Sequence, residues 1–429
     1  MKIIQSFWSK PSFDNFQDFQ NSRRFSGWLN FKYFLMGSAL SCLTIKKQQG
    51  NIHLYTDNRG KKIFIDQLGL PYDDASLALN ALENEDHRLW ILGKLMAIRA
   101  QDQPFIHIDN DIFLWENLPN SDRSDFLIAQ SETTIWQEYI SSLNEIFANF
   151  SFVPDCMQER PTPMTMVTNV GVIGGNDIKF FQNFCELSKR LLETNRDKLH
   201  LVEIGGFNQM LEEYLFTSLA RHNGRQIQYV LGEPIQGLPS SCLGFNIAPS
   251  VYKYVHLIGN NKSNPLSCEQ IELRLKHEFP EYHRRVIEVI SDISQDETTR
   301  DVSKRQERIE RSVNLLYKHS FQEIKQMKIQ IVPGIEFSPV QSYVKSDVDW
   351  AITERSPDGN LTIKSLPPYA ATGAKVWTPF FKRPATILDM MQEVDVNYND
   401  TEDLQSLKVD IIDAVMQNLT VLGTLEVVE

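Results

Sequence analysis

The stretch PFIHIDNDIFLW, residues 104–115, constrains the fold most tightly. Five residues of buried-strand character run straight into Asp109-Asn110-Asp111, and apolar residues resume at once. A run that apolar belongs inside a sheet, where uncompensated carboxylates are expensive, so the acidic pair belongs at the strand's end in a crevice. Two carboxylates separated by one residue can there address a single cation. Hard divalent cations such as Mg²⁺ and Mn²⁺ take carboxylate, water and phosphate oxygens. The plain alternative is a polar turn between two strands, since Asp and Asn side chains satisfy nearby backbone groups. His107 shares the side of the strand that Asp109 occupies, and reads either as support for the acidic pair or as a satisfied core histidine.

The flanking sequence alternates helices with short apolar strands. Residues 2–8 read as a first strand, 28–47 as a helix, and IHLYTD (52–57) as a strand ending in Thr56, Asp57 and Asn58. A loop with Leu70, Pro71 and Tyr72 follows, and then a helix over 87–101 that leads into the acidic strand. MTMVTNVGVIGG (164–175) reads as a strand closed by paired glycines that can bring backbone N–H groups near phosphate. Helices over 180–192 and 207–221 and strands over 226–232 and 251–259 complete the pattern. This predicts an α/β domain on a mostly parallel sheet, with ligands gathered beyond the carboxyl ends of its strands.

After residue 265 the texture changes. Residues 266–327 read as a helical segment interrupted by the polar run SQDETTRD, and 328–429 as a small α+β region. A chain of 429 residues favours such a division. Its 55 acidic and 43 basic residues give a net charge of −12, which speaks against general binding to nucleic acid or anionic membranes. Five scattered cysteines suggest neither a disulfide framework nor a zinc site. The amino terminus reads as a strand and not a signal peptide, and no apolar run reaches the roughly 18 residues of a membrane span, so the cytoplasm is the expected location. No Walker or Rossmann glycine signature is present.

With these residues in order, the chain resembles nucleotide-sugar-dependent glycosyltransferases of the A-type fold. IHIDNDIFLW is similar to their strand–Asp-X-Asp–apolar element. TNVGVIGGND (168–177) resembles the Asn-x-Gly-Val stretch of retaining transferases related to glycogenin, and HLIGNNK (256–262) resembles their His-x-x-Gly-x-x-Lys signature. The resemblance covers residues 1–265. It implies a single Rossmann-like nucleotide-diphospho-sugar transferase domain (GT-A type) with a mixed, mostly parallel sheet. It also implies Mn²⁺ or Mg²⁺ on Asp109, Asp111 and His256, with Lys262 on the donor diphosphate and Gly259 permitting the turn between them. By the same resemblance Ser6, Trp8 and Asp57 approach the nucleoside, and Asn169 and Gly171 approach the donor sugar or phosphate. Lys94 stands in for the usual Arg of the helix before the acidic motif. Ser263, Asn264 and Pro265 replace the common Pro-Trp after the lysine.

The expected activity is metal-dependent sugar transfer from a nucleotide-diphospho-sugar, with retention, to a glycan, peptide, lipid-headgroup or small-molecule acceptor. Gln209 and Glu212 share a helix face and are expected, with Asp111, to act near the anomeric carbon or acceptor; the alternative for Glu212 and Glu213 is a solvated helix edge. Two other functions fit less of the sequence. A binding protein of the same fold without turnover has no chemical need to keep the Asp, Asp, His and Lys set together. A metal-dependent phosphohydrolase normally wants a denser set of ligands than nine scattered histidines provide.

Overall fold

The computed structural model describes residues 1–13, 24–135, 137–157, 160–231, 248–250, 252–293, 304–341, 348–355, 361–365, 371–397 and 404–428. The chain divides into two compact units, one of residues 1–241 and 253–293, the other of residues 242–252 and 294–429.

The first unit is an α/β structure on a seven-stranded sheet. Its strands are β1 (Lys2–Phe7), β2 (His53–Thr56), β3 (Asp74–Ser76), β4 (Phe105–Ile108), β6 (Leu127–Thr134), β7 (Met166–Gly175) and β8 (Ile227–Tyr229), in the order β3-β2-β1-β4-β7-β6-β8. Pairings of β1 with β2 and β4, of β2 with β3, and of β6 with β8 are parallel. Only β7 is reversed, antiparallel to both β4 and β6. The sheet is therefore mixed and mostly parallel. All four residues of β4 are buried, as a near-continuous apolar run in the middle of a covered sheet requires. Two further strands, β5 (Ile112–Leu114) and β9 (Tyr254–His256), form a separate antiparallel pair just beyond the end of β4.

Helices cover the sheet. Helix Phe31–Gln49 is buried from Tyr33 to Ile45, with Asn30 capping its start and left-handed Gly50 ending it. Helices Ile91–Arg99 and Ile178–Thr194 pack together, and Phe180, Phe181 and Phe184 supply much of the core under β4 and β7. The run read as one helix over 207–221 begins earlier, at Ile204, and carries a π-turn over Met210–Tyr214. Asn58–Gln67, read as loop, is helical: Asp57 accepts from Gly60 N at 2.8 Å and so starts the first turn. Helices Pro265–Glu278 and Pro280–Ile293 also belong to this unit. Among the described residues no helix is long and apolar enough to cross a membrane.

The second unit holds two three-stranded antiparallel sheets. One pairs β10 (Lys328–Ile331) with β14 (Ala385–Thr386) and β15 (Leu425–Val428); the other is the meander β11 (Ile335–Gln341), β12 (Val348–Arg355) and β13 (Leu361–Ser365). The Ser-Pro-Asp-Gly turn at 356–359 lies outside the described residues. Its core gathers Trp377, Phe381, Ile387, Met390, Ile411 and Val415.

Gly174 is required by the sheet and not by a ligand. It lies opposite Ile106 near the start of β4, away from the Asp109 end, and a Cβ there would stand 2.2 Å from Phe105 O and 2.6 Å from Ile106 Cα. Both contacts are backbone, so neither can swing aside. Replacing Gly174 with Val should therefore cost at least about 1–3 kcal/mol of unfolding free energy in urea titration; an unchanged midpoint would show that β4 and β7 separate more easily than this register allows.

Candidate metal centre

Strand β4 ends where its pairing with β7 ends. Ile108 lies opposite Val172, and the next amide, Asp109 N, donates to Gly171 O at 2.8 Å. The chain then turns tightly, Ile112 N reaching back to Asp109 O at 3.2 Å, before entering β5. Asn110 sits between the carboxylates because its amide donates to Ser6 O at the end of β1, 2.9 Å away. The turn is thus tied to two neighbouring strands, β1 and β7.

Strand β9 brings the third member. Its antiparallel register sets His256 opposite Ile112, and Leu257 N donates to Asp111 O at 3.1 Å. His256 Nε2 lies 3.2 Å from Asp111 Oδ1, and Lys262 Nζ lies 2.9 Å from Asp111 Oδ2. Lys262 comes from the turn Gly259–Ser263, where Gly259 has φ +57°, a left-handed conformation that a side chain would strain. Asp109, Asp111 and His256 can each offer a ligand atom, and these atoms lie within 4.8 Å of one another.

Lys94, on helix Ile91–Arg99, closes the other side. Its ammonium is buried and donates to Asp109 at 2.9 Å, to Glu212 Oε2 at 3.0 Å and to Val170 O at 3.2 Å, which uses all three of its hydrogens. Burial opposes its charge, but the two carboxylates outweigh burial and hold its pKa above the ordinary lysine value. Burial likewise raises Asp111, yet Lys262 and His256 overcome it and hold that carboxyl well below the usual range. For Asp109 burial and the charge of Asp111 win over Lys94, so its pKa is raised. His107 is fully buried, with Nε2 at 2.8 Å from Ser6 Oγ and Nδ1 at 3.7 Å from Asp109; burial and the Lys94 charge push its pKa well down and keep it neutral.

Gln130, on β6, has no signal in the sequence, yet its Oε1 lies 2.7 Å from both His256 Nδ1 and Tyr254 Oη. The β6–β7 register slips here, Ala129 facing Ile173 and Ser131 facing Asn169, so a bulge aims Gln130 at the centre. Gly171 lies beneath both side chains: a Cβ there would meet Gln130 Oε1 and His256 Cε1, each at 2.6 Å. Asn169 Oδ1 accepts from Gly171 N at 3.0 Å and its amide points to Glu213 at 3.5 Å.

Of the residues singled out in the sequence, the structure thus gathers Asp109, Asp111, His256, Lys262, Lys94, Glu212, Asn169 and Gly171, with Ser6 joined through His107. Trp8 is packed with Leu79 and Leu82 in a separate hydrophobic cluster. Asp57 commits its oxygens to Ser9 N and Gly60 N, both at 2.8 Å. Gln209 is half-buried on the helix that carries Glu212.

The donor set fits a hard divalent cation. Two carboxylates and an imidazole converge, and a glycine keeps clear the space that the histidine and its partner occupy. Neighbouring ammonium groups already offset part of the negative charge.

Glu213 provides a test of this electrostatic picture. Burial first and Glu212 second raise its pKa well above the carboxylate range, so the folded protein holds it neutral. A raised folded pKa costs nothing below the unfolded value, near ~4.3, and costs increasing stability as pH rises from there toward the folded value. Glu213→Gln, which mimics the neutral acid, should gain stability over the parent by up to about 1.4 kcal/mol per pH unit across that window. Urea melts of both proteins from pH 4 to 8 measure it; parallel curves would place Glu213 in a wetter or better compensated site.

Among solved structures, the apo form of mouse xyloside xylosyltransferase 1 is similar to the chain at 9% identity and a TM-score of 0.28, spanning 53% of this chain and 84% of that one. A likeness that remote bears on neither fold nor activity. No curated protein is similar to the chain. A family model, described as a family of unknown function (DUF6734), matches residues 1–289 and so spans nearly all of the α/β unit and its site. The chain belongs to that family.

Proposed function

We propose that this protein transfers a sugar from a nucleoside-diphospho-sugar to an acceptor in a metal-dependent reaction with retention at the anomeric carbon. The observation that carries this reading is the convergence of Asp109, Asp111 and His256, with Lys262 on the same carboxylate, at the carboxyl end of a central strand. The resemblance of the Asp-X-Asp, Asn-x-Gly-Val and His-x-x-Gly-x-x-Lys elements to A-type glycosyltransferases supports it. Asp109, Asp111 and His256 would hold a Mn²⁺ or Mg²⁺ ion, which would supply positive charge to a departing diphosphate.

The residues of the chain divide the remaining work. Lys262, on a short turn that starts at Gly259, exchanges its carboxylate partner for the donor diphosphate as a mobile point charge. Lys94 holds Asp109 and Glu212 in fixed orientation. Asn169 and Gly171 approach the donor sugar or phosphate, and the Ser6–Trp8 edge and Asp57 lie near the base or ribose. Glu212 and Gln209 flank the anomeric carbon or the acceptor hydroxyl. The donor site is assigned to residues 1–265, and no role is assigned to the segments 266–327 and 328–429. The expected location remains the cytoplasm.

Calorimetry with a nucleoside diphosphate, with and without Mn²⁺, tests this. The full chain should bind more tightly with the ion, and Asp111→Ala should abolish that enhancement. Lys262→Ala should weaken diphosphate binding by about 1.5–3 kcal/mol while leaving nucleoside binding unchanged. Slow hydrolysis of one nucleotide-sugar in a donor screen would separate an enzyme from a binding protein of the same fold. Metal-independent binding that is equal in all three proteins contradicts the reading.

A further inference from the structure

Resting on the metal reading above, the geometry points to Gln130 as a positioning residue that fixes His256 in the tautomer able to ligate a cation. An amide oxygen accepts hydrogen bonds and never donates them. Gln130 Oε1 has two partners, Tyr254 Oη and His256 Nδ1, both at 2.7 Å. Both partners therefore donate, and the hydrogen of the neutral imidazole sits on Nδ1. The other nitrogen, Nε2, then carries a bare lone pair, and it lies 3.2 Å from Asp111 Oδ1, itself an acceptor.

A charged ring donates from Nε2 to that carboxylate; in the neutral ring the remaining hydrogen stays on Nδ1, and Nε2 turns its lone pair toward the place beside Asp111 where a cation would sit. A neutral ring held for structure alone would instead donate from Nε2 to the carboxylate and need a donor at Nδ1, which Gln130 Oε1 is not.

The local backbone is built to hold this arrangement. The slip in register between Ala129 and Ser131 turns Gln130 toward β9. Gly171 leaves room for the amide and the ring together, since any Cβ would touch both at 2.6 Å. Gln130 itself is buried, so no water competes for its oxygen. Groups in this position beyond the ligands commonly set metal affinity, because they orient the ring and raise its basicity.

Two measurements test the assignment. Long-range ¹H–¹⁵N correlations of the metal-free chain labelled in histidine, with His256 identified by the signal lost in His256→Gln, should show hydrogen on Nδ1. A neutral ring with hydrogen on Nε2 and none on Nδ1 would overturn the inference whatever the chain does with metal. In Mn²⁺ titrations followed by electron paramagnetic resonance, Gln130→Met should bind about 10- to 100-fold more weakly than the parent. Gln130→Glu, which keeps an acceptor, should restore most of the affinity, a rescue that a packing role would not produce. If the parent binds Mn²⁺ through Asp111 but Gln130→Met binds equally well, the inference fails and the metal reading stands. If parent and Asp111→Ala alike bind none, the metal reading fails, and the tautomer still decides the role of Gln130.

Discussion

Two carboxylates one residue apart, held in a crevice at the end of β4, repel one another, and much of the surrounding structure answers that repulsion. Asp109 is met by Lys94 and Asp111 by Lys262 and His256, each contact between 2.9 and 3.2 Å. The compensating groups come from a helix, a strand and a turn that are far apart in sequence. Removing one partner would leave an uncompensated charge in a poorly hydrated place, which costs far more than the pair gains in water. The split is uneven: Asp111 is held strongly ionised, whereas Asp109 is pushed toward the neutral form.

The sheet supplies the geometry. The reversed strand β7 gives β4 an antiparallel neighbour on one side, while β1 gives it a parallel one on the other. After Ile108 one further bond, from Asp109 N to Gly171 O, ties the chain to β7 before it turns away and starts a new pairing with β9. That pairing, three residues long, is what sets His256 beside Asp111. The bulge in β6 then brings Gln130 up beneath it. A strand end, a short second sheet and a bulge together place four side chains, Asp109, Asp111, His256 and Gln130, around one point.

How much of this could be read from sequence varied with the range of the interaction. The strand running into Asp109-Asn110-Asp111 was legible because burial, strand length and the turn are all local. His256 and Lys262 were reached through their spacing around Gly259, together with a family resemblance. Lys94 was only a stand-in for a missing arginine; its three acceptors come from β4, β7 and the helix of Glu212, which no local pattern links to it. Gln130 was invisible, because a single glutamine in the strand LIAQSETT reads as ordinary alternation and the bulge that aims it depends on β7. The helix over Asn58–Gln67 was missed because its polar opening, Asn-Arg-Gly-Lys, looks like a loop until Asp57 is seen capping it. Trp8 and Asp57 were reached only through the family resemblance; the structure packs Trp8 with Leu79 and Leu82, and Asp57 accepts from Ser9 N and Gly60 N.

The central claim is that Asp109, Asp111 and His256 hold one divalent cation. Anomalous diffraction from crystals grown with Mn²⁺ and a nucleoside diphosphate tests it most directly. A single peak should appear within about 2.0–2.6 Å of both carboxylates, the range of hard divalent cations with oxygen ligands. It should also contact His256 Nε2, with Lys262 moved from Asp111 to the phosphate. Full occupancy of the nucleotide with no peak there, and Lys262 still on Asp111, would contradict the claim.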